Sequence, residues 1–245
     1  MKYVSVLFLC LSLSVFGQRV QINEDFTVEK LADHVYMYTT WSQIGEWGRV
    51  GSNGMIVVDG GKAFLCDTPM EEGQTKEVVA FIRDSLSAEL VSFVPGHWHG
   101  DCVGGMAYLQ EQGVETYAHE MTNDILRSKS RPAAKHGFKK RLDLTLNSIP
   151  IECFYLGGGH STDNIVVWLP GEKILFGGCL VKDCTSVNLG NTEDAAPLAE
   201  WRRTIQAVGK KFREARVIIP GHGLSGDTKL LEHTESLLRN SEVRK

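Results

Sequence analysis

The strongest constraint on this chain is where its histidines fall. Of eight, four (His97, His99, His160 and His222) lie in Gly-rich loops directly after or between short apolar runs of the kind expected of strands. His97-Trp98-His99-Gly100-Asp101 sets three potential ligands on alternate residues, so in extended or tightly turned backbone all three can point to one side. Gly158-Gly159-His160, Gly177-Gly178-Cys179 and Pro220-Gly221-His222 repeat the theme of a donor side chain where a strand ends. His34, His119, His136 and His233 lack this setting and read as ordinary surface or core residues.

The elements around those loops alternate. Strands are predicted at 35–39, 54–58, 63–66 and 90–94, then at 149–156, 165–169, 174–176 and 217–219. Thr68-Pro69-Met70-Glu71 reads as a helix start with a capping box, followed by Val78, Val79, Ile82 and Leu86 at helical spacing. Leu198, Trp201, Ile205, Val208 and Phe212 share one helical face, and Leu230, Leu231, Thr234, Leu237 and Leu238 another. Two sets of strands, each followed by helices and with no linker between them, predict one domain of layered α/β structure over residues 18–245.

The donors can be counted. His97, His99 and His160 offer three neutral imidazoles; Asp101, Cys179 and His222 offer a carboxylate, a thiolate and an imidazole. That is enough for two ions with three protein ligands each. The mixture favours zinc, and three ligands rather than four leave an open position, which suits catalysis better than storage. Two zinc ions per chain are the expected cofactors.

Composition narrows the partners. Lys+Arg 26 against Asp+Glu 30 gives −4 without a long basic run, so nucleic acid is an unsuitable ligand. With 42% hydrophobic and 23% charged residues the chain is neither disordered nor fibrous. Residues 1–17 have a lysine-bearing start, an apolar stretch and a small residue, the grammar of a cleaved export signal. The stretch falls short of the roughly 20 residues a spanning helix needs, so stable membrane insertion is not expected. Export takes Cys10 away and leaves Cys66, Cys102, Cys153, Cys179 and Cys184, an odd number that cannot all pair. Cys66 and Cys153 fall in apolar strands and read as buried thiols, and Cys102 reads as a neighbour of the metal site rather than a ligand.

Taken in order, HWHGDC, GGGHSTDNIVVWLP, FGGCLVKD and IPGHG closely resemble the class B metallo-β-lactamases, in particular the dizinc subclass whose second metal is held by Asp, Cys and His. The resemblance runs from about Asn23 to about Leu238, and HWHGDC with GGGH is most similar to the Bacteroides-type carbapenem-hydrolysing enzymes. Cys102 directly after Asp101, with Cys179 later, departs from the HxHxDH spelling of glyoxalase-type hydrolases; His97 departs from the NxHxD spelling of the monozinc subclass. Gly96 departs from the larger polar residue the family often carries before its first histidine.

The resemblance implies the αββα sandwich of the metallo-β-lactamase superfamily, with the zinc site at the sheet edges. It implies zinc-dependent opening of the β-lactam amide by a zinc-bound hydroxide, and so antibiotic resistance, by a periplasmic monomer acting on small-molecule β-lactams. Asp101 would both ligate and orient the nucleophile. Lys182 would meet the substrate carboxylate, Asn191 would polarise the lactam carbonyl, and Trp47, at the tip of a Gly-rich hairpin, would cover the substrate. Asp67 resembles an acid that supports the metal loop. Two alternatives stay open: an exported metallo-hydrolase of another ester, thioester or lactone, and a zinc-binding protein without catalysis.

Overall fold

The computed structural model describes Gly17 and residues 19–243. Apart from Gly17, the predicted export signal lies outside the described residues.

Among the described residues, thirteen strands form two sheets. The first runs in chain order, β1 (Arg19–Asn23), β2 (Phe26–Ala32), β3 (Val35–Ile44), β4 (Gly48–Asp59), β5 (Lys62–Cys66), β6 (Glu89–Val94), β7 (Glu115–His119) and β8 (His136–Phe138). The second has the order β13 (Val217–Pro220), β12 (Ile174–Gly178), β11 (Val166–Leu169), β10 (Ile149–Phe154) and β9 (Arg141–Leu146). Helices α1 (Glu72–Asp84), α2 (Gly100–Val103), α3 (Met106–Glu111) and α4 (Glu120–Ser128) accompany the first sheet; α5 (Leu198–Lys211) and α6 (Lys229–Val243) accompany the second.

Alternation along each strand explains why so many read as unbroken apolar runs. In β4, Met55 and Val57 enter the core between the sheets while Ile56 enters the core under α1 to α4. In β12, Ile174 and Phe176 face the first sheet while Leu175 faces α5 and α6. Both faces of these strands are therefore buried, as in a sheet covered by helices. Three apolar layers result, helix on sheet, sheet on sheet and sheet on helix, and together they make the expected αββα sandwich.

Helix α1 begins later than a capping box at Thr68 requires. Its N-cap is Glu71, with no side-chain cap bond. The Thr68 hydroxyl is used elsewhere, donating to the Cys102 carbonyl at 3.1 Å and accepting from the Gly105 N–H at 3.0 Å. It ties the start of α1 to the loop that carries the metal-ligand motif instead of capping a helix. Strands β3 and β4 also run further than predicted, paired as far as Ile44 and Gly48, so the Trp47 hairpin is a ribbon projecting from the sheet with Gly45–Trp47 as its tip.

Candidate metal centre

Every candidate ligand sits beyond the end of a strand. His97, His99 and Asp101 follow β6, His160 lies between β10 and β11, Cys179 follows β12 and His222 follows β13. Since the ends of β6, β12 and β13 meet at one edge of the sandwich, six residues far apart in sequence converge. Ligand atoms of His97, His160 and Cys179 lie within 4.8 Å of one another, as do those of Asp101, Cys179 and His222. His99 Nδ1 faces His160 Nε2 at 3.1 Å.

The loops are held so that this meeting is possible. Asn53 on β4 donates from Nδ2 to the carbonyls of Pro220 and Gly223, both at 2.9 Å, and its backbone N–H donates to Gly221 at 2.8 Å, clamping the His222 loop to the first sheet. Gly221 permits close approach: a Cβ there would stand 2.4 Å from Cys179 Sγ. Asp67, buried and at φ 60°, accepts the Gly96 N–H at 2.5 Å. A Cβ at Gly96 would lie 3.3 Å from that carboxylate, so the missing side chain next to His97 leaves room for Asp67. Asp163, buried beside His160, accepts from Thr122 on α4 at 2.6 Å and from Ser161 at 2.5 Å.

Hydrogen bonds select the ring nitrogens left for a metal. His222 Nδ1 lies 2.9 Å from the Gly51 carbonyl, which can only accept, so Nδ1 carries the proton and Nε2 faces Asp101 at 3.4 Å and Cys179 at 3.4 Å. His99 Nε2 lies 3.1 Å from the Asp194 carboxylate, which likewise leaves Nδ1 as the free donor. Asp194 carried no signal in the sequence: it stands in a stretch without periodicity, and only the fold brings it to His99. His97 Nε2 and His160 Nδ1 are buried with no hydrogen-bond partner among the described residues, an arrangement that costs free energy unless a cation or water meets it.

The electrostatics favour a cation. Burial holds His97 well below the ordinary imidazole value and brings His160 down to about 4, so both are neutral donors at pH 7. A hydrogen bond from Cys102, with the positive charge of His222, holds Cys179 well below the usual thiol range. Burial and the adjacent Cys179 thiolate push Asp101 up to about 6. Burial would lower His222, but the anions Cys179 and Asp101 outweigh it and raise it to about 9. Two anions confined side by side repel, and a divalent ion relieves that repulsion. Orphaned imidazole nitrogens, a buried thiolate and a half-buried carboxylate converging at one edge of the sandwich fit zinc.

Lys182, Asn191 and Trp47 line the same cavity of about 520 Å³ as His99, Asp101, His160 and His222. Lys182 is buried, its ammonium 5.5 Å from the Trp201 ring centroid and its backbone N–H on Thr234 of α6 at 2.8 Å; burial lowers its pKa from the ordinary lysine value. Asn191 is exposed, and its Oδ1 accepts from the Glu193 N–H at 3.0 Å, leaving the amide N–H groups as donors. Trp47 is 65% exposed at the ribbon tip rather than folded onto the core. Cys66 and Cys153 are buried, and Cys184 is exposed.

The description of the metallo-beta-lactamase superfamily matches residues 47–222. The chain belongs to the metallo-β-lactamase superfamily. It is 47% identical over 240 residues to the metallo-beta-lactamase type 2 of Bacteroides fragilis, covering 97% of this chain and 96% of that protein. It is 33% identical over 234 residues to the metallo-beta-lactamase type 2 of Pseudomonas aeruginosa, covering 96% and 92%. The crystal structure of the DIM-1 metallo-beta-lactamase exposed to ceftazidime superposes with a TM-score of 0.84 at 40% identity, covering 89% of this chain and 98% of that one. No helix among the described residues is long and apolar enough to cross a membrane.

Proposed function

We propose that this metallo-β-lactamase hydrolyses the amide bond of β-lactam antibiotics at a centre of two zinc ions. His97, His99 and His160 would hold one ion, and Asp101, Cys179 and His222 the other. The single observation that carries the reading is a buried cation, Lys182, sharing a cavity with this donor set, because β-lactams carry a carboxylate beside the reacting ring. When bound, zinc acidifies a water to a pKa of about 7 and polarises the carbonyl, so the chain needs no nucleophile of its own.

The protein's part is to place the substrate. Lys182 Nζ takes the carboxylate in a desolvated setting, where a charge pair is worth more than at an exposed surface. The Asn191 amide donates toward the carbonyl oxygen, where negative charge grows as the ring opens. Trp47, exposed at the ribbon tip, would lay its indole over the ligand and exclude water. Asp101 orients the attacking water with its carboxylate, while Asp194 and the Gly51 carbonyl keep His99 and His222 in their ligating orientations.

Action as a monomer, export to the periplasm and a role in antibiotic resistance belong to the same proposal; export rests on the residue pattern of 1–17. The test is a substrate panel of a chromogenic cephalosporin, a penicillin and a carbapenem against thioesters and lactones. Preference for the β-lactams by at least about tenfold in kcat/KM, lost in Lys182→Glu, is expected. Faster turnover of thioesters or lactones, unaffected by that substitution, would favour the other metallo-hydrolase reading.

A further inference from the structure

His233 takes no part in the centre described above, yet it holds the segment that presents Lys182. It is half-buried on α6, and its Nε2 lies 2.8 Å from the Ser186 carbonyl. A carbonyl can only accept, so Nε2 carries the proton and donates. The neutral ring with its proton on Nε2 and the protonated ring both supply this bond, so it does not depend on the charge of His233. The next residue, Thr234, takes the other end of the segment: its buried hydroxyl accepts the Lys182 N–H at 2.8 Å and donates to the Leu230 carbonyl of its own helix at 2.7 Å. Two adjacent residues of α6 thus hold both ends of 182–186.

Within the segment, the buried Asp183 carboxylate accepts from the hydroxyls of Thr185 at 2.7 Å and Ser186 at 2.6 Å. Beyond Ser186 the bracing changes. Leu189 packs into the apolar layer beneath α5 and α6, but among the described residues 187–193 make only local hydrogen bonds, such as the Gly190 N–H to Asn188 Oδ1 at 2.8 Å. Val187 is 86% exposed. The stretch curls back over the cation: a Cβ at Gly190 would lie 4.0 Å from Lys182 Nζ, and Ser186, Gly190 and Asn191 line the same cavity as Lys182. The ammonium and the Asn191 amide therefore belong to one loop, and the last hydrogen bond from outside it before Asn191 comes from His233.

We propose that His233 is a positioning residue for β-lactam recognition: through the Ser186 carbonyl it sets the spacing between the Lys182 ammonium and the Asn191 amide. This rests on reading Lys182 and Asn191 as the groups that meet the substrate carboxylate and carbonyl. Lys182 acts equally on ground and transition states, whereas Asn191 acts on charge that grows as the ring opens. Loss of the spacing thus raises KM and lowers kcat together, while loss of Lys182 alone raises KM. A His233 that served folding alone would lower stability and leave both constants in place.

The test compares His233→Leu, which fills a similar volume without a donor, with His233→Gln, whose Nε2 amide reaches a similar place. With a chromogenic cephalosporin, His233→Leu should raise KM and lower kcat by about threefold to tenfold each, with bound zinc unchanged, and His233→Gln should restore most of both. In a Lys182→Ala background the KM effect of His233→Leu should shrink to within about twofold, because the cation it places is gone. In the metal-free chain, amides 187–193 should exchange hydrogen about fivefold faster in His233→Leu than in the parent, with β12 and β13 unchanged. Nitrogen-15 shifts of His233 in the parent should show the proton on Nε2, a readout that needs no variant to fold. A ring with its proton on Nδ1 alone, unchanged loop exchange in His233→Leu, or kinetic losses that His233→Gln does not restore would each overturn the proposal. A parent inactive on β-lactams would overturn the proposed function, and the recognition role with it, even where loop exchange shows the tether.

Discussion

Removing Asp194 should weaken zinc binding at the three-histidine side without touching a ligand. Its carboxylate lies 3.1 Å from His99 Nε2, with the His99 side chain 15% and the Asp194 side chain 40% exposed. Partners that orient a ligating histidine are typically worth 10–100-fold in metal affinity, and the exposure of Asp194 places it at the low end, about tenfold. Asp194→Ala should lose that factor. Asp194→Asn, which keeps an acceptor but not the charge, should fall between. Competition with a calibrated chelator measures the zinc affinity directly, and circular dichroism checks that the fold is retained. A zinc affinity within twofold of the parent in folded Asp194→Ala would refute the argument that this carboxylate fixes His99.

The other predictions concern charge and burial. Lys182→Ala should raise KM for carboxylate-bearing substrates with kcat and zinc content nearly unchanged, since the pair is equally strong in ground and transition states; steady-state kinetics with zinc analysis decides it. Asp67→Ala leaves the buried Gly96 N–H without its acceptor and should cost about 1–3 kcal/mol, read as a Tm lowered by several degrees. Between pH 9 and 6, zinc affinity for the Asp101, Cys179 and His222 set should fall as pH falls. His222, at about 9, is protonated over most of that range and must release a proton to bind; below about 6, Asp101 adds a second. Calorimetric titration at several pH values should show proton release on binding, and an affinity independent of pH from 6 to 9 would contradict this.

The centre of the fold was legible because strands buried on both faces are apolar throughout, and because glycines mark where they end. Val94-Pro95-Gly96 and Ile219-Pro220-Gly221 announce both a strand terminus and a donor just beyond it. The periphery was not. Strand β1 alternates Val20 and Ile22 with polar residues, but it is exposed at every position, so its alternation marks no buried face. Strands β7 and β8 and helix α4 sit at one side of the first sheet, where Thr122 and Asn123 are buried polar residues that break the apolar pattern. Within the site, ligand identity follows from residue type and local spacing. The roles of Asp194, Asn53 and Gly51 follow from contacts across 95 to 171 residues of chain, which no local pattern encodes. Thr68 shows the converse: its local pattern fits a helix cap, but a tertiary hydrogen bond claims its hydroxyl.

The central claim is that this chain opens β-lactams with metal held by six side chains at the sheet edges. Its most direct test follows hydrolysis of a chromogenic cephalosporin by the purified protein through exhaustive chelation and stepwise return of zinc. The account predicts that turnover vanishes with the metal and returns as zinc is restored, saturating at two ions per chain. Turnover that survives complete removal of metal would contradict it.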